Sequence, residues 1–328
     1  MEKTDQATEA TSNLSATKDK VSICAVIVTY HPAAELIENV AALLDQVDEV
    51  VIVDNGSGAE SSGLMEKVCE YSKVSVIYNR ENLGIAAALN IGVRFAVAAG
   101  YQWLAAFDQD SKVTPGMVMT MLQGYDTYPE KEKVASLSPR YQNQSTGQVA
   151  TSRSKYSSGD ALPYTEVLVA MTSGNLIKTS IFDVVGYFNE PLFIDHVDSE
   201  FCLRCASWGY KILEVNDAIL LHRTGAPVQH RFLGKLRSTS NHSILRRYYM
   251  ARNGIYVYKK FAFTYPLWVA NDAYRFLKAM IMLVLFEADK RQKLAAIIRG
   301  VMHGLSGRMG KFGGPSRDSS LTPNIPRN

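Results

Sequence analysis

Short apolar runs alternate with amphipathic stretches along the first third of the chain. Four runs rich in β-branched and aromatic residues, at 23–29, 50–53, 74–78 and 103–107, have the length and composition of buried strands. The segments between them predict helices at 33–44, 60–71 and 84–99. Apolar strands that alternate with helices predict an α/β fold, with a mostly parallel sheet sandwiched by helices.

The alternation weakens after residue 134. Strands are predicted at 134–138 and 167–172, on either side of a polar stretch at 141–160, and the pattern is helical from residue 243 onward. No segment has the ~18 uninterrupted apolar residues of a membrane span. We expect a flexible leader at 1–20, an α/β domain at 21–240, a basic, aromatic-rich helical extension at 241–310 and a flexible tail at 311–328.

The charge is divided unevenly between the two ends of the chain. Residues 223–328 carry 19 Lys and Arg against 4 Asp and Glu, a net charge of +15, whereas the remainder has a net charge of −12. A basic region of this kind can face nucleic acid, anionic lipid or only solvent. The aromatic residues among these cations, from Tyr248 to Trp268, favour peripheral contact with a membrane surface, although packing against the α/β domain is the alternative.

Polar residues follow each of the four predicted strands. Thr29, Asp54, Asn82 and Asp108 come at or shortly after the ends of successive strands. Parallel sheets bind ligands at the carboxyl ends of their strands, so these side chains are expected at one site. Taken singly, Asp54 can form an ordinary Asx turn and Asn82 with Gly84 can simply begin a helix.

Asp108 and Asp110 are separated by one residue at the end of an apolar strand. Two carboxylates in this arrangement can hold one hard cation and, through it, a diphosphate, although aspartates also shape turns. His222 follows a later apolar run and can add a neutral nitrogen ligand or be purely structural.

Several carboxylates precede or begin a predicted helix near residue 200. Asp195 and Asp198 are candidates for a general base, because a carboxylate at a helix start can accept a proton from a substrate hydroxyl. The structural alternative makes Asp198 a helix cap, with Glu200 and Arg204 as an i,i+4 ion pair.

Taken together, five segments resemble family-2 glycosyltransferases of the GT-A fold, over about residues 22–260. They are Thr29-Tyr30 with Pro32, Asp54-Asn55-Gly56-Ser57, Asn82-Leu83-Gly84 with Leu89-Asn90, Asp108-Gln109-Asp110, and Asp198 to Arg204. Within that family FDQDS, FIDHVDSEFCLR and RRYYMARN are most similar to bacterial rhamnosyltransferases that build O-antigen and related surface polysaccharides.

The resemblance implies an inverting, metal-dependent transfer of L-rhamnose from dTDP-L-rhamnose. It implies a lipid-linked glycan acceptor, met at the cytoplasmic face of the cell membrane by a peripheral enzyme. It also implies that Asp54 contacts the nucleotide base, with Thr29, Asn82 and Gly84 in the same donor site. Asp108 and Asp110 are then expected to bind the diphosphate through Mg²⁺ or Mn²⁺, with His222 as a further metal ligand.

Asp198 is the general base that the resemblance implies. Many relatives have Glu-Asp before this helix, whereas Val197 precedes Asp198 here, so Asp195 competes for the role. Three alternatives stay open at this point: a transferase that uses a UDP-hexose or UDP-galactofuranose, a nucleic-acid-binding protein, and a dehydrogenase. No G-x-G-x-x-G follows the first strand, which weakens the dehydrogenase, and no nucleic-acid reader motif is present.

Overall fold

The computed structural model describes residues 21–144, 147–150, 162–222, 228–232, 235–239 and 241–313. The predicted leader, most of the predicted tail and much of the polar stretch at 141–160 lie outside these residues. The strands are β1 (Ile23–Thr29), β2 (Glu49–Asp54), β3 (Val74–Tyr78), β4 (Trp103–Asp108), β5 (Ser111–Val113), β6 (Val134–Asn143), β7 (Val149–Ala150), β8 (Tyr164–Val167), β9 (Asn175–Lys178), β10 (Lys211–His222), β11 (Val228–Phe232) and β12 (Lys235–Thr239).

The helices are α1 (Glu35–Leu43), α2 (Ser62–Cys69), α3 (Ile85–Ala98), α4 (Met117–Asp126), α5 (Ile181–Val185), α6 (Val197–Ser207), α7 (Ile244–Phe261), α8 (Pro266–Phe286) and α9 (Lys290–Ser306). The first seven predicted elements are confirmed to within a few residues at each end. The strand predicted at 167–172 is wrong, because β8 ends at Val167 and β9 begins only at Asn175.

One large sheet has the strand order β3-β2-β1-β4-β9-β6-β10-β5. Its first four strands are parallel, as the alternating pattern predicts. Beyond β4 the sheet is mixed, since β9 runs antiparallel to both β4 and β6. The apolar runs are continuous because successive residues of β1 face opposite apolar layers: Ile23, Ala25 and Ile27 lie in one, and Cys24, Val26 and Val28 in the other.

The three C-terminal helices pack on the α6 side of the sheet and on each other. The Ser243 side chain caps α7 by accepting a hydrogen bond from the Arg246 amide at 3.2 Å. Pro266 begins α8, at a position where a backbone amide would have no hydrogen-bond partner within the helix. None of the helices within the described ranges is both long enough and apolar enough to cross a bilayer. The predicted boundary at residue 240 stays a prediction.

Three aromatic residues of α7 belong to the core and are not available to a membrane surface. Tyr248, Tyr249 and Phe261 are buried. Tyr248 and Tyr249 pack against Arg252 and the residues after α9, and Phe261 packs beside Leu203 of α6. The alternative interpretation, in which these rings form ordinary core, therefore holds for these three.

Candidate active site

The carboxylate of Asp54 is held rigidly at the end of β2. Thr29, its partner in the β1–β2 register, donates from its hydroxyl to Oδ1 at 3.1 Å, and the hydroxyl of Ser57 donates to the same oxygen. The amide of Ser57 donates to Oδ2 at 3.1 Å, which is the turn-forming interaction. The side chain of Thr29 is fully buried and bonded to Asp54, so Thr29 orients the Asp54 carboxylate, and its place in the donor site stays a prediction.

Asparagine side chains connect the residues that follow β2 with those that follow β3. Asn55 donates to Oδ1 of Asn82 at 3.2 Å and accepts from Asn79 and from the Leu83 amide at 3.1 and 3.0 Å. Oδ1 of Asn82 also accepts from the Gly84 amide at 2.9 Å, directly before α3. The network places Asp54, Asn82 and Gly84 along one edge of the sheet, as predicted.

Gly84 brings the start of α3 against the segment that precedes Asp198. Its φ is +88°, and a Cβ atom there would lie 2.6 Å from the carbonyl oxygen and ring of Phe193. The Ile85 amide donates to that same carbonyl at 2.7 Å. A side chain at position 84 would therefore push the two segments apart.

Asp108, Asp110 and His222 converge at the end of β4, with one ligand atom of each lying within 4.8 Å of the others. His222 pairs with Ser111 in the β10–β5 register, and the Ser111 hydroxyl lies 3.0 Å from its Nδ1. This contact leaves Nε2 of His222 available as a ligand. The Ser111 hydroxyl accepts in turn from Ser173, whose own hydroxyl accepts from the Asp108 amide.

The electrostatics of this cluster fit a divalent cation. Burial, followed by the negative charge of Asp110, raises the pKa of Asp108 to about 6, while His222 opposes the shift. Two repelling carboxylates beside an imidazole nitrogen form a donor set that Mg²⁺ or Mn²⁺ accepts. A bound cation would relieve the repulsion that raises the pKa.

Asp198 belongs to the same site. It is the second residue of α6 rather than its cap, and its Oδ1 accepts from the Ser199 amide at 2.7 Å. Burial raises its pKa above the ordinary aspartate value. Its negative charge contributes to the raised pKa of Asp108, after burial and the charge of Asp110.

Asp195, the competing candidate, has a cationic partner. Its Oδ1 lies 3.2 Å from Arg246 of α7, and the charge of Arg246 also reaches Asp108. Burial raises the pKa of Asp195, whereas Arg246 opposes that shift. Arg246, which belongs to the basic C-terminal region, therefore lies beside a residue of the candidate site.

The segment before Asp198 has an unusual backbone. Phe193, Asp195 and His196 have φ values of +66°, +64° and +60°, a region that non-glycine residues rarely adopt. Such residues persist only where surrounding contacts hold them, and they cluster at functional sites.

Two buried side chains of α7 hold this segment. Nδ2 of Asn253 lies 2.8, 2.7 and 2.9 Å from the carbonyl oxygens of Leu192, Ile194 and Asp195. Arg252 donates to the Leu192 carbonyl at 2.9 Å and to that of Pro191 at 3.1 Å. The local sequence does not predict a functional role for Arg252 or Asn253. The only signal is that both belong to the RRYYMARN segment, which resembles the family.

Glu200 and Arg204 form the predicted i,i+4 pair, which is fully buried with a separation of 2.9 Å. Lys260 of α7 adds a second cation to Glu200 at 2.7 Å. Arg204 also donates to the carbonyls of Val185, Gly186 and Tyr187, which fixes α6 against α5.

Two curated relatives cover nearly the whole chain. The chain is 28% identical over 305 residues to the dTDP-rhamnosyl transferase RfbF of Shigella flexneri, which covers 89% of this chain and 97% of the relative. It is 23% identical over 305 residues to the low-salt glycan biosynthesis hexosyltransferase Agl10 of Haloferax volcanii, covering 87% and 92%.

A solved structure of GalNAc-T7 with UDP, GalNAc and Mn²⁺ shares the fold, with a TM-score of 0.55 at 16% identity. The alignment covers 74% of this chain and 48% of that one. The family model described as glycosyl transferase family 2 matches residues 24–186, which include the ends of all four parallel strands. These findings favour the transferase over the nucleic-acid-binding and dehydrogenase interpretations. Residues 24–186 are a glycosyl transferase family 2 domain, and the protein is a glycosyltransferase of the GT-A fold.

Proposed function

We propose that this protein transfers L-rhamnose from dTDP-L-rhamnose to a hydroxyl of a glycan acceptor, with inversion at the anomeric carbon. Similarity to the dTDP-rhamnosyl transferase of Shigella flexneri, which aligns over 97% of its own length, supports dTDP-L-rhamnose as the donor. The observation that carries the chemistry is the convergence of Asp108, Asp110 and His222, whose ligand atoms lie within 4.8 Å of one another. The negative charge of Asp198, which helps to raise the pKa of Asp108, supports a proton acceptor near these residues.

Asp198 acts as the general base in this proposal. The acceptor oxygen forms a bond to C1 of the sugar while the bond from C1 to the diphosphate breaks, and the diphosphate leaves with the electron pair. Asp198 takes the proton of the acceptor hydroxyl. From a β-linked dTDP-L-rhamnose the product is an α-L-rhamnoside.

Asp108, Asp110 and His222 hold Mg²⁺ or Mn²⁺ in this proposal. The bound ion supplies neutralisation of the charge that develops on the leaving diphosphate. GalNAc-T7, which has the same fold, was solved with Mn²⁺ and UDP, which supports a divalent ion here.

The donor site extends along the edge of the sheet from Asp110 to Asn82. Asp54 contacts the nucleotide base, and Thr29 keeps its carboxylate in place. Asn82 and Gly84 set the position of the first turn of α3, and the amino-terminal end of a helix favours an anion. The acceptor is a lipid-linked glycan, and the enzyme meets it as a peripheral protein at the cytoplasmic face of the cell membrane.

A donor panel tests the proposal. Purified protein with Mn²⁺ is incubated with dTDP-L-rhamnose, UDP-glucose, UDP-galactose and UDP-galactofuranose, and release of the nucleoside diphosphate is measured. We expect release from dTDP-L-rhamnose to exceed the others at least about tenfold, the discrimination that a few lost pocket contacts provide. An Asp110→Ala variant controls for background hydrolysis.

A second donor class is the alternative. The hexosyltransferase relative of Haloferax volcanii aligns over 92% of its length, so a UDP-hexose or UDP-galactofuranose is the next candidate. Preference for any UDP-sugar in the panel would overturn the rhamnose proposal and leave the transferase chemistry intact.

A further inference from the structure

One side of α8 exposes a continuous stripe of large apolar residues. Separations of seven, three, four, three and one residues place them on one face of the helix, which has about 3.6 residues per turn. Between 45% and 86% of each is exposed: Leu267, Tyr274, Leu277, Ile281, Val284 and Leu285. A contiguous apolar surface on this scale marks an interaction site.

The opposite side of α8 is part of the core. Leu283 is fully buried in a cluster with Ala251 of α7 and Ile297 of α9, and Phe276 and Met280 pack against the same cluster. Near the start of the helix, Trp268 packs beside Leu203 of α6. The helix is therefore fixed in the fold, and its exposed stripe has no partner among the described residues.

The exposed charges of α8 and α9 are almost all positive. Arg275 and Lys278 of α8 are exposed, and so are Lys290, Arg291 and Arg299 of α9. Of the three acidic residues between 241 and 313, Glu287 is buried in ion pairs with Arg247 and Lys293, and Asp272 is bonded to Tyr258. Only Asp289 is exposed.

We propose that α8 docks on an acidic lipid bilayer, with its apolar stripe at the boundary between headgroups and acyl chains and its cations on the lipid phosphates. An amphipathic helix with basic residues binds membranes in this way. The choice of lipid over a protein partner rests on the proposed function, because a lipid-linked acceptor must be met at a membrane. Asp272, Arg275 and Lys278, in the middle of the helix, oppose a spanning arrangement.

The start of the docked helix packs beside α6, the helix that carries the candidate base. Trp268 packs against a cluster that contains Leu203. Leu203 lies on α6, and Asp198 is the second residue of that helix. Docking through α8 therefore places the active-site helix close to the membrane surface.

Vesicle flotation of the full-length protein tests the proposal, with neutral phosphatidylcholine vesicles and with vesicles that contain phosphatidylglycerol. We expect the protein to float with the acidic vesicles at low salt. The double variant Leu277→Glu, Ile281→Glu should bind them at least about tenfold less, since it removes buried apolar area and adds repulsive charge. Met119→Glu, at an exposed position of α4, is the matched control and should bind as the unchanged protein does.

Equal flotation of the double variant and the control would overturn the proposal. So would light scattering that shows a dimer disrupted by the double variant, because the stripe would then be an interface between two copies. Release of nucleoside diphosphate from the donor should be unchanged in the double variant. A protein that floats as expected yet hydrolyses no sugar nucleotide would refute the proposed function without refuting the docking surface.

Discussion

Asp195 and Asp198 lie three residues apart, yet their carboxylates have different partners. Arg246 lies 3.2 Å from Asp195 and stabilises its ionised form, so protonation of Asp195 would weaken that ion pair. Asp198 accepts hydrogen bonds from the Ser199 amide and hydroxyl, at 2.7 and 3.4 Å. We therefore favour Asp198 as the proton acceptor and Asp195 as the anchor of Arg246.

The exchange Asp198→Asn should lower kcat at least ~100-fold, because an amide cannot accept the acceptor's proton and general-base catalysis contributes about this factor. Donor affinity, measured by calorimetry, should be unchanged. Asp195→Asn is the matched variant and should lower kcat far less. If the two variants exchanged phenotypes, Asp195 would be the base.

The cluster of Asp108, Asp110 and His222 predicts that turnover requires a divalent ion. Asp110→Ala should reduce turnover by about 100-fold or more, because metal stabilisation of the leaving group is typically worth several kcal/mol. It should also weaken Mn²⁺ binding measured by electron paramagnetic resonance, with the melting temperature preserved since Asp110 is exposed. Full turnover in excess chelator would contradict the metal assignment.

At the scale of elements, the most informative contact is between α7 and the segment before α6. That segment has three residues at positive φ, each costing of order 1–3 kcal/mol, and the carbonyl contacts of Asn253 offset this cost. Asn253 therefore positions Asp198 without touching substrate.

Replacement of Asn253 by Ala should lower kcat by about 100-fold, the effect expected when a catalytic group moves by about 1 Å. Donor affinity should change by less than about threefold, because the donor side of the site lies on other elements. Asn271→Ala, at an exposed position of α8, is the control. Unchanged kcat in Asn253→Ala would mean that the segment keeps its conformation unaided.

The sequence predicts β1 to β4 and their polar ends correctly because each strand is short, apolar and followed by turn residues. It places Asp108, Asp110 and His222 in one cluster only with the help of the family resemblance, since His222 is 112 residues beyond Asp110. It cannot predict the role of Asn253, because an asparagine inside a helix has no local signal for the distant carbonyls that it binds. The burial of Tyr248 and Tyr249 cannot be predicted from the local sequence either, because it depends on contacts with residues that are distant along the chain.

At the scale of the whole molecule, α9 packs so closely on α7 that glycine is needed at the contact. A Cβ atom on Gly300 would lie 2.4 Å from the Tyr248 carbonyl oxygen, and one on Gly304 would lie 2.6 Å from that of Arg252. The chain beyond α9 then returns to the active-site segment: the Gly310 amide donates to the Pro191 carbonyl at 2.8 Å, and Arg252 donates to the Gly310 carbonyl.

Gly300→Val should therefore affect both stability and catalysis. We expect a loss of about 1–3 kcal/mol in the free energy of unfolding, as for other overpacked contacts, measured by urea denaturation. Turnover should fall at a temperature where the variant is still folded, because the Arg252–Gly310 contact is displaced. Ala295→Val, exposed on the same helix, should change neither quantity. A destabilised variant with full turnover would show that α9 does not influence the site.

The contact between Gly310 and Pro191 also bears on how the enzyme is made. Residues 24–186 emerge from the ribosome well before residue 310, so the parallel strands and the carboxylates of Asp108 and Asp110 can take their places early. The segment before Asp198 obtains its last restraints only when the residues after α9 have been synthesised. A nascent chain can therefore form its parallel strands before the segment that holds Asp198, the proposed base, has received the restraint that residue 310 adds.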